Sequence, residues 1–397
     1  MRLAFRLTRY NRYSFVPLFT GVRDVAEIFL CESFEDLLAV KPDAVLYSFM
    51  SPHACRMLEE MGRLKEVFPD VLVVVGGPHP SALPDEVLEG GADAVVVGEA
   101  EGVWSEVLRD LSSGSLKRIY KKTLFDFPRY SLVHSPYTAP IELVRGCPFG
   151  CRFCQVSYLF GRRARSRKMA EVLREVRVLK SRGRRFVRFI APNALSYMSE
   201  DGVSPNVEVL EELFSRIREE GVEQIFFGSF PSELRPESVN EEAVSLMARF
   251  CHNRRVVVGV QSGSDECLRM IGRGHTVADA VRAVEILNRF GFLVVLDFIF
   301  GFPGETEAQM RETVSFIEFM LSNYRVEVNA HAFMPLPGTP FSGKRPAELP
   351  RWLKRWLHEQ ERRGLVKGNW AQQDHIRGMM WKRHAYLSQR RQGSASA

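Results

Sequence analysis

Long apolar runs are absent from this chain. A membrane-crossing helix needs roughly 18 or more apolar residues in a row, and the best candidate among the 397 residues, Phe292 to Phe302, is broken by Asp297. The opening stretch MRLAFRLTRYNRYSF spreads arginines along its length without a continuous apolar block, so a secretory signal is not expected there. Cysteine is scarce as well: there are seven, an odd number with three clustered, which does not fit a disulfide framework and points to a reducing compartment. A cytoplasmic protein with no membrane partner is the expectation. What is present is ordinary globular material, 45% hydrophobic and 26% charged, enough for two domains or one large domain with an appendage.

Charge is unevenly placed. Of the net +6, segment 162–188 carries twelve Lys/Arg against two Glu, and segment 344–397 thirteen against four acids, leaving −13 on the remainder. Two basic regions on an acidic chain are either a footprint for RNA or another anion, or solvated helix faces with paired charges.

The first 111 residues alternate short β-branched runs (43–49, 71–75, 93–97) with segments of helical period such as 55–68 and 102–111. That alternation predicts an α/β, doubly wound parallel-sheet domain, with ligands beyond the carboxyl ends of the strands at Gly76, Gly77, His79, Gly98 and Glu99. Residues 112–139 read as a connection. A second series follows over 140–341, with strands near 140–144, 185–190, 224–229, 255–260, 293–300 and 326–333. The helices between them are expected near 168–182, 206–220, 236–250, 276–290 and 306–321. Six strands with five helices suit a partial barrel rather than a closed eight-fold one. A short basic, helical extension, 342–397, completes the expected architecture.

Immediately after the first strand of the second series stands Leu143-Val-Arg-Gly-Cys-Pro-Phe-Gly-Cys-Arg-Phe-Cys154, with Cys147, Cys151 and Cys154 spaced C-x3-C-x2-C. Structural zinc takes four protein ligands and catalytic zinc three plus water, and three thiolates without a nearby histidine are uncommon for either. A four-iron cubane held by three thiolates keeps one iron open. Cys31, Cys55, Cys251 and Cys267 are either a fourth ligand or small buried hydrophobes.

This loop, with Phe153 before its last cysteine, resembles the signature of the radical SAM superfamily. Gly161-Arg-Arg-Ala-Arg-Ser-Arg167, Val258-Gly-Val-Gln-Ser-Gly-Ser-Asp265, Gly272-Arg-Gly-His-Thr276, Asp297-Phe-Ile-Phe-Gly-Phe-Pro-Gly-Glu-Thr306 and Met334-Pro-Leu-Pro-Gly-Thr-Pro340 are similar to the catalytic domain of its methylthiotransferase branch. The resemblance implies a 4Fe-4S cluster on Cys147, Cys151 and Cys154, S-adenosylmethionine (SAM) at the open iron, and a flavodoxin- or ferredoxin-like electron donor. It also implies SAM contacts from Phe153, Asn193, Ser229, Gln261, Arg273 and Phe300. Asn193 is equally a turn asparagine, Arg273 a surface residue and Phe300 core filling.

The front domain resembles the cobalamin-binding domains fused to many radical SAM enzymes, through Gly76-Gly-Pro-His-Pro80, Leu83-Pro-Asp-Glu-Val-Leu88 and Gly91-Ala-Asp-Ala-Val-Val-Val-Gly-Glu-Ala-Glu101. It has two cysteines where methylthiotransferases bring three for a second cluster, and it lacks the D-x-H-x-x-G motif that supplies an axial histidine to cobalt. The resemblance implies a cobalamin held without a histidine from that motif, as is common in this subgroup; His53 and His79 are the alternative ligands, or ordinary surface or turn histidines. The resemblance therefore implies a cobalamin-dependent methylase of an unreactive carbon; the alternatives are an RNA-modifying radical SAM enzyme without cobalamin, or a non-catalytic iron-sulfur or zinc protein. The substrate stays open among small molecule, peptide and RNA. Trp352, Trp356, Trp370 and Trp381 either stack on bases or pack against the barrel.

Overall fold

The computed structural model describes residues 1–394, with side chains to 383; the end of the expected extension, 395–397, lies outside the described residues. The chain divides into two compact units, Met1–Ala139 and Pro140–Ala397.

The front unit is a six-stranded parallel sheet: β1 (Arg2–Arg6), β2 (Glu27–Cys31), β3 (Ala44–Ser48), β4 (Leu72–Gly76), β5 (Ala94–Val97) and β6 (Ile119–Lys121), in the order β2-β1-β3-β4-β5-β6. Alternating side chains feed two cores. Leu3, Phe5, Leu46 and Val74 pack with Trp104 on one face, while Ala4, Val45, Tyr47 and Val75 pack with Met57 and Met61 on the other. The doubly wound reading holds, with three strands added to those the sequence suggested. β1 ends on an arginine that is in fact buried, because Glu60 grips the Arg6 guanidinium in a two-pronged pair at 2.6 and 2.9 Å. β6 falls inside the Lys-rich segment expected to be a connection, where Ile119 pairs with Val95.

In the second unit the six expected strands are β7 (Ile141–Glu142), then, after a short antiparallel pair β8 (Val144–Arg145) and β9 (Arg165–Ser166), β10 (Phe186–Ile190), β11 (Gln224–Phe226), β12 (Arg255–Gln261), β13 (Leu293–Phe300) and β14 (Val326–Ala332). They form two parallel sheets, β11-β10-β7 and β12-β13-β14-β15, where β15 is Val366–Lys367. The bridge Leu234–Val258 joins the segment after β11 to β12, giving a partial barrel. The intervening helices are Met169–Ser181, Val207–Glu219, Glu241–Phe250, Val277–Arg289 and Glu307–Asn323. The third starts later than expected because residues 236–238 form a 3-10 turn and Asn240 caps the helix through the Ala243 N–H. An additional helix, Asp265–Met270, follows β12.

The extension does more than append. Val366 pairs with Val328, so β15 covers the edge of β14. The tryptophans pack as the second of their two readings proposed: Trp352 and Trp356 donate to Glu307 and Glu318 on the last barrel helix, and Trp370 is buried with its N–H on Glu361. No described helix is long and apolar enough to cross a membrane.

Candidate functional site

The cysteine loop begins where the first barrel strand ends. Gly146 takes φ +85°, and a Cβ there would lie 2.2 Å from the Arg163 carbonyl, so only glycine lets the loop close against 161–163. The Cys147 N–H bonds to the Gly161 carbonyl, Ser157 donates to the Cys147 carbonyl, and the Arg162 guanidinium holds the Pro148 carbonyl at 3.0 Å. Arg165 and Arg167 are buried, the first on the Phe160 carbonyl and the second 3.5 Å from Glu175. Farther along the basic segment, Arg177 and Arg185 pair with Glu220 and Glu223. These five of the twelve cations of segment 162–188 are therefore engaged in internal support or ion pairing.

Two buried guanidiniums meet the middle thiol. Arg273 and Arg235 reach Cys151 Sγ at 3.7 and 3.8 Å. Burial pushes the Cys151 thiol up, but Arg273 and Arg235 more than offset it and hold the group below its ordinary value. Cys147 is raised by burial and Cys154 is pushed up to about 11 by burial. Arg235 lies 3.4 Å above the Phe149 ring and is fixed by Glu237 at 2.5 Å, which itself faces His275 at 3.4 Å. Among the described residues, no three His, Cys, Asp or Glu side chains are arranged around one metal ion. An all-thiol loop flanked by two cations matches an anionic thiolate cluster better than a mononuclear zinc centre.

The concave face of the barrel carries polar groups behind this loop. Phe298 meets Phe316 of the helix layer, so Asp297, on the alternate side of β13, faces inward. Asn329 donates to Asp297 at 2.9 Å, and His331 shares its face of β14. Burial raises the Asp297 carboxyl against the Asn329 bond. Burial and then Asp297 push Glu233 up to about 7. Arg273 spans this layer by donating to the Gly259 carbonyl at 2.6 Å, while its buried Nε has no hydrogen-bond partner.

The residues expected to contact SAM divide. Gln261 and Arg273 are brought together: a Cβ on Gly259 would meet Gln261 Nε2 at 2.8 Å and Arg273 Nη2 at 2.9 Å. Gln261 also holds φ +77°, a strained left-handed conformation for a side-chain-bearing residue. Ser229 lies in the tight turn after β11, its carbonyl accepting from Ser232. Phe153 packs on Phe302 at 5.4 Å. Asn193 is placed as its turn reading has it. It is buried, its amide donates to Ser238 at 2.8 Å and its carbonyl accepts from the Arg235 N–H, a loop clasp. Phe300 is fully buried on the helix-facing side of β13 with Phe298, as its core-filling reading has it, and Ile299 takes the inward side. Arg273 is buried, not a surface residue. Cys251 and Cys267 are buried, each pushed up to about 12 by burial. Arg235, Glu233, Asn329 and His331 escaped the sequence reading. Arg235 and Glu233 stand in Ser232-Glu-Leu-Arg-Pro236, whose only local signal is a charged pair just after a strand.

In the front unit, a cleft of about 100 Å³ opens at the carboxyl ends of β1 and β3, lined by Thr8, Tyr10, Asn11, Phe49, His53 and Arg56 among others. Gly76 ends β4, and Gly77 approaches so closely that a Cβ would lie 2.8 Å from Ser48 Oγ. Gly98 and buried Glu99 follow β5, the Gly98 N–H on Ser81 Oγ. His79 is buried, with Nδ1 3.0 Å from Ser51 Oγ and Nε2 3.3 Å from Glu86, which removes it as a ligand-facing group.

Residues 141–317 match the radical SAM superfamily and residues 25–108 the B12 binding domain. A tRNA-2-methylthio-N(6)-dimethylallyladenosine synthase of Halorhodospira halophila is 33% identical over 75% of this chain and 65% of its own length. A bacteriochlorophyllide d C-12(1)-methyltransferase of Chlorobaculum tepidum is 28% identical over 68% of this chain and 59% of its own. The chain thus spans less than two thirds of these relatives. Among solved structures, the radical SAM methyltransferase TsrM of Kitasatospora setae, with cobalamin and a [4Fe-4S] cluster, superposes with a TM-score of 0.63 at 18% identity over 86% of this chain and 77% of that one. OxsB, a cobalamin-dependent SAM radical enzyme with aqua-cobalamin bound, gives 0.61 at 15% over 92% and 61%. The two share the fold of this chain, which carries a domain matching the radical SAM superfamily over residues 141–317 and, before it, one matching the B12 binding domain over residues 25–108.

Proposed function

We propose that the chain is a cobalamin-dependent radical SAM methylase of an unreactive carbon, supplied with electrons by a flavodoxin- or ferredoxin-like donor. The observation that carries this reading is the coexistence in one chain of a three-thiol loop at the carboxyl end of a partial barrel and a cleft at the carboxyl ends of the front sheet. When bound, the cluster would supply an electron and an open iron to SAM, and cobalamin a transferable methyl group.

The protein's own part is holding and orienting. Cys147, Cys151 and Cys154 would hold the cluster. Arg273, fork-shaped and already beside Cys151, suits the SAM carboxylate, and Gln261 offers an amide next to it. Glu233, Asp297, Asn329 and His331 present donors and acceptors to a substrate on the concave face, where Val295 and Ile299 flank Asp297 on the same face of β13. Methylthio transfer is disfavoured because the front unit has only buried Cys31 and exposed Cys55. RNA stacking by the tryptophans is disfavoured because their indole N–H groups bond within the protein.

Loading the full chain with hydroxocobalamin and desalting it tests the reading. Retained corrinoid absorbance at about one per chain, with the methyl of labelled SAM passing to the corrinoid, is expected. A chain that keeps its cluster but never retains corrinoid removes the methylase reading and leaves a radical SAM enzyme of another kind.

A further inference from the structure

We propose that His53 is a protein-derived axial ligand to the cobalt of a cobalamin seated on the front sheet, an inference that rests on the function proposed above.

The position follows from topology. The chain leaves β1 for β2 on one side and returns to β3 on the other, so the loops after β1 and β3 diverge and leave a cleft at the reversal point, where open α/β sheets bind ligands. Asn11 pins the two loops at a fixed spacing, its amide donating to the Arg6 and Ser48 carbonyls at 2.9 Å each. His53 ends the turn after β3 and lines this cleft.

Its chemistry suits a metal. The imidazole is half-buried and stacks on Tyr10, ring centroids 4.6 Å apart and planes at 23°, and the Arg9 guanidinium also lies over the Tyr10 ring, 4.5 Å from its centroid. Neither ring nitrogen makes a hydrogen bond or ion pair with any described residue, and neither is among the fully buried atoms that lack a partner, so both stay open to the cleft and its solvent. Burial, then Arg56 and Arg9, favour the neutral ring, which is the ligating form. The other histidines of the unit differ. His79 is buried away from the cleft lining, with Nδ1 on Ser51 Oγ and Nε2 3.3 Å from Glu86, and His134 lines a separate pocket with Glu27 and Ile28 at the start of β2, the opposite end of the strands. The loop after β1, where a D-x-H-x-x-G histidine would stand, offers Leu7-Thr-Arg-Tyr-Asn11, so the loop after β3 supplies the imidazole instead.

The test uses the full chain grown on nitrogen-15, loaded with natural-abundance cobalamin and reduced to cob(II)alamin with titanium(III) citrate. Electron paramagnetic resonance then reads the axial nitrogen. The expected result is a superhyperfine doublet, becoming a triplet when the protein is grown on nitrogen-14, and lost in His53→Ala while corrinoid is retained. Retained corrinoid with no nitrogen splitting overturns the assignment. So does a triplet from labelled protein, which would be the cofactor's own base, or a doublet that survives His53→Ala. A chain that retains no corrinoid overturns this assignment together with the proposed function.

Discussion

Arg273 is the residue on which the candidate site turns, because it touches the cluster loop, the strand-end glycine and the charged layer behind them at once. A lysine would keep the charge and lose the planar fork. Arg273→Lys is therefore expected to raise the KM for SAM by about tenfold or more, with iron content unchanged; an unchanged KM would place the SAM carboxylate elsewhere. Gln261 was legible because a polar side chain at the end of an apolar strand needs a partner, and Arg273 because Gly272-Arg-Gly-His-Thr276 is similar to a family motif. Glu233 and Arg235 were not, because burial and long-range placement, rather than local pattern, give them their roles. Asn193 and Phe300 show the limit of a motif. Both stand at the expected places, yet a two-ended hydrogen bond and the alternation of β13 direct their side chains away from a ligand.

At the scale of elements, two loops hold the barrel's upper rim. In the cysteine loop, Gly146→Ala would drive a Cβ into the Arg163 carbonyl, so loss of bound iron on reconstitution is expected without loss of helical circular dichroism; full iron retention would contradict that geometry. In the loop after β13, buried Glu305 accepts from the Gly301 and Phe302 N–H groups, and burial pushes it up to about 7 from an ordinary 4.5. A carboxyl raised on folding stabilises the fold below its unfolded pKa, and that contribution is lost as pH rises through the folded value. The stability of the natural chain relative to Glu305→Gln should then fall between about pH 5 and pH 7.5 in urea unfolding. A difference that rises with pH would have the wrong sign. The barrel strands and helices could be read from β-branched runs and helical period. β1, β2, β6 and β15 could not: β1 ends on a buried arginine, β2 and β6 lie at sheet edges, and β15 is two residues in a basic tail.

For the whole molecule, the sequence pattern conveyed two α/β units and their order, since each βα alternation is local. The pairing of β6, within the segment read as a connection, onto the front sheet and the coverage of β14 by the extension depend on contacts between distant segments and were open until the structure. Net charge illustrates the same point. The basic segment 162–188 looked like a footprint, but folding spends Arg162, Arg165 and Arg167 on the cysteine loop and its support. Neutralising Arg162, Arg163 and Arg165 together would damage the cluster site before it reported on RNA. The central claim, that three thiols with an open fourth position make this a SAM-cleaving enzyme, is tested most directly by anaerobic reconstitution followed by SAM and a low-potential reductant. The predicted result is about four irons per chain and formation of 5′-deoxyadenosine, both lost in Cys151→Ala; one zinc per chain, with no SAM cleavage, would contradict it.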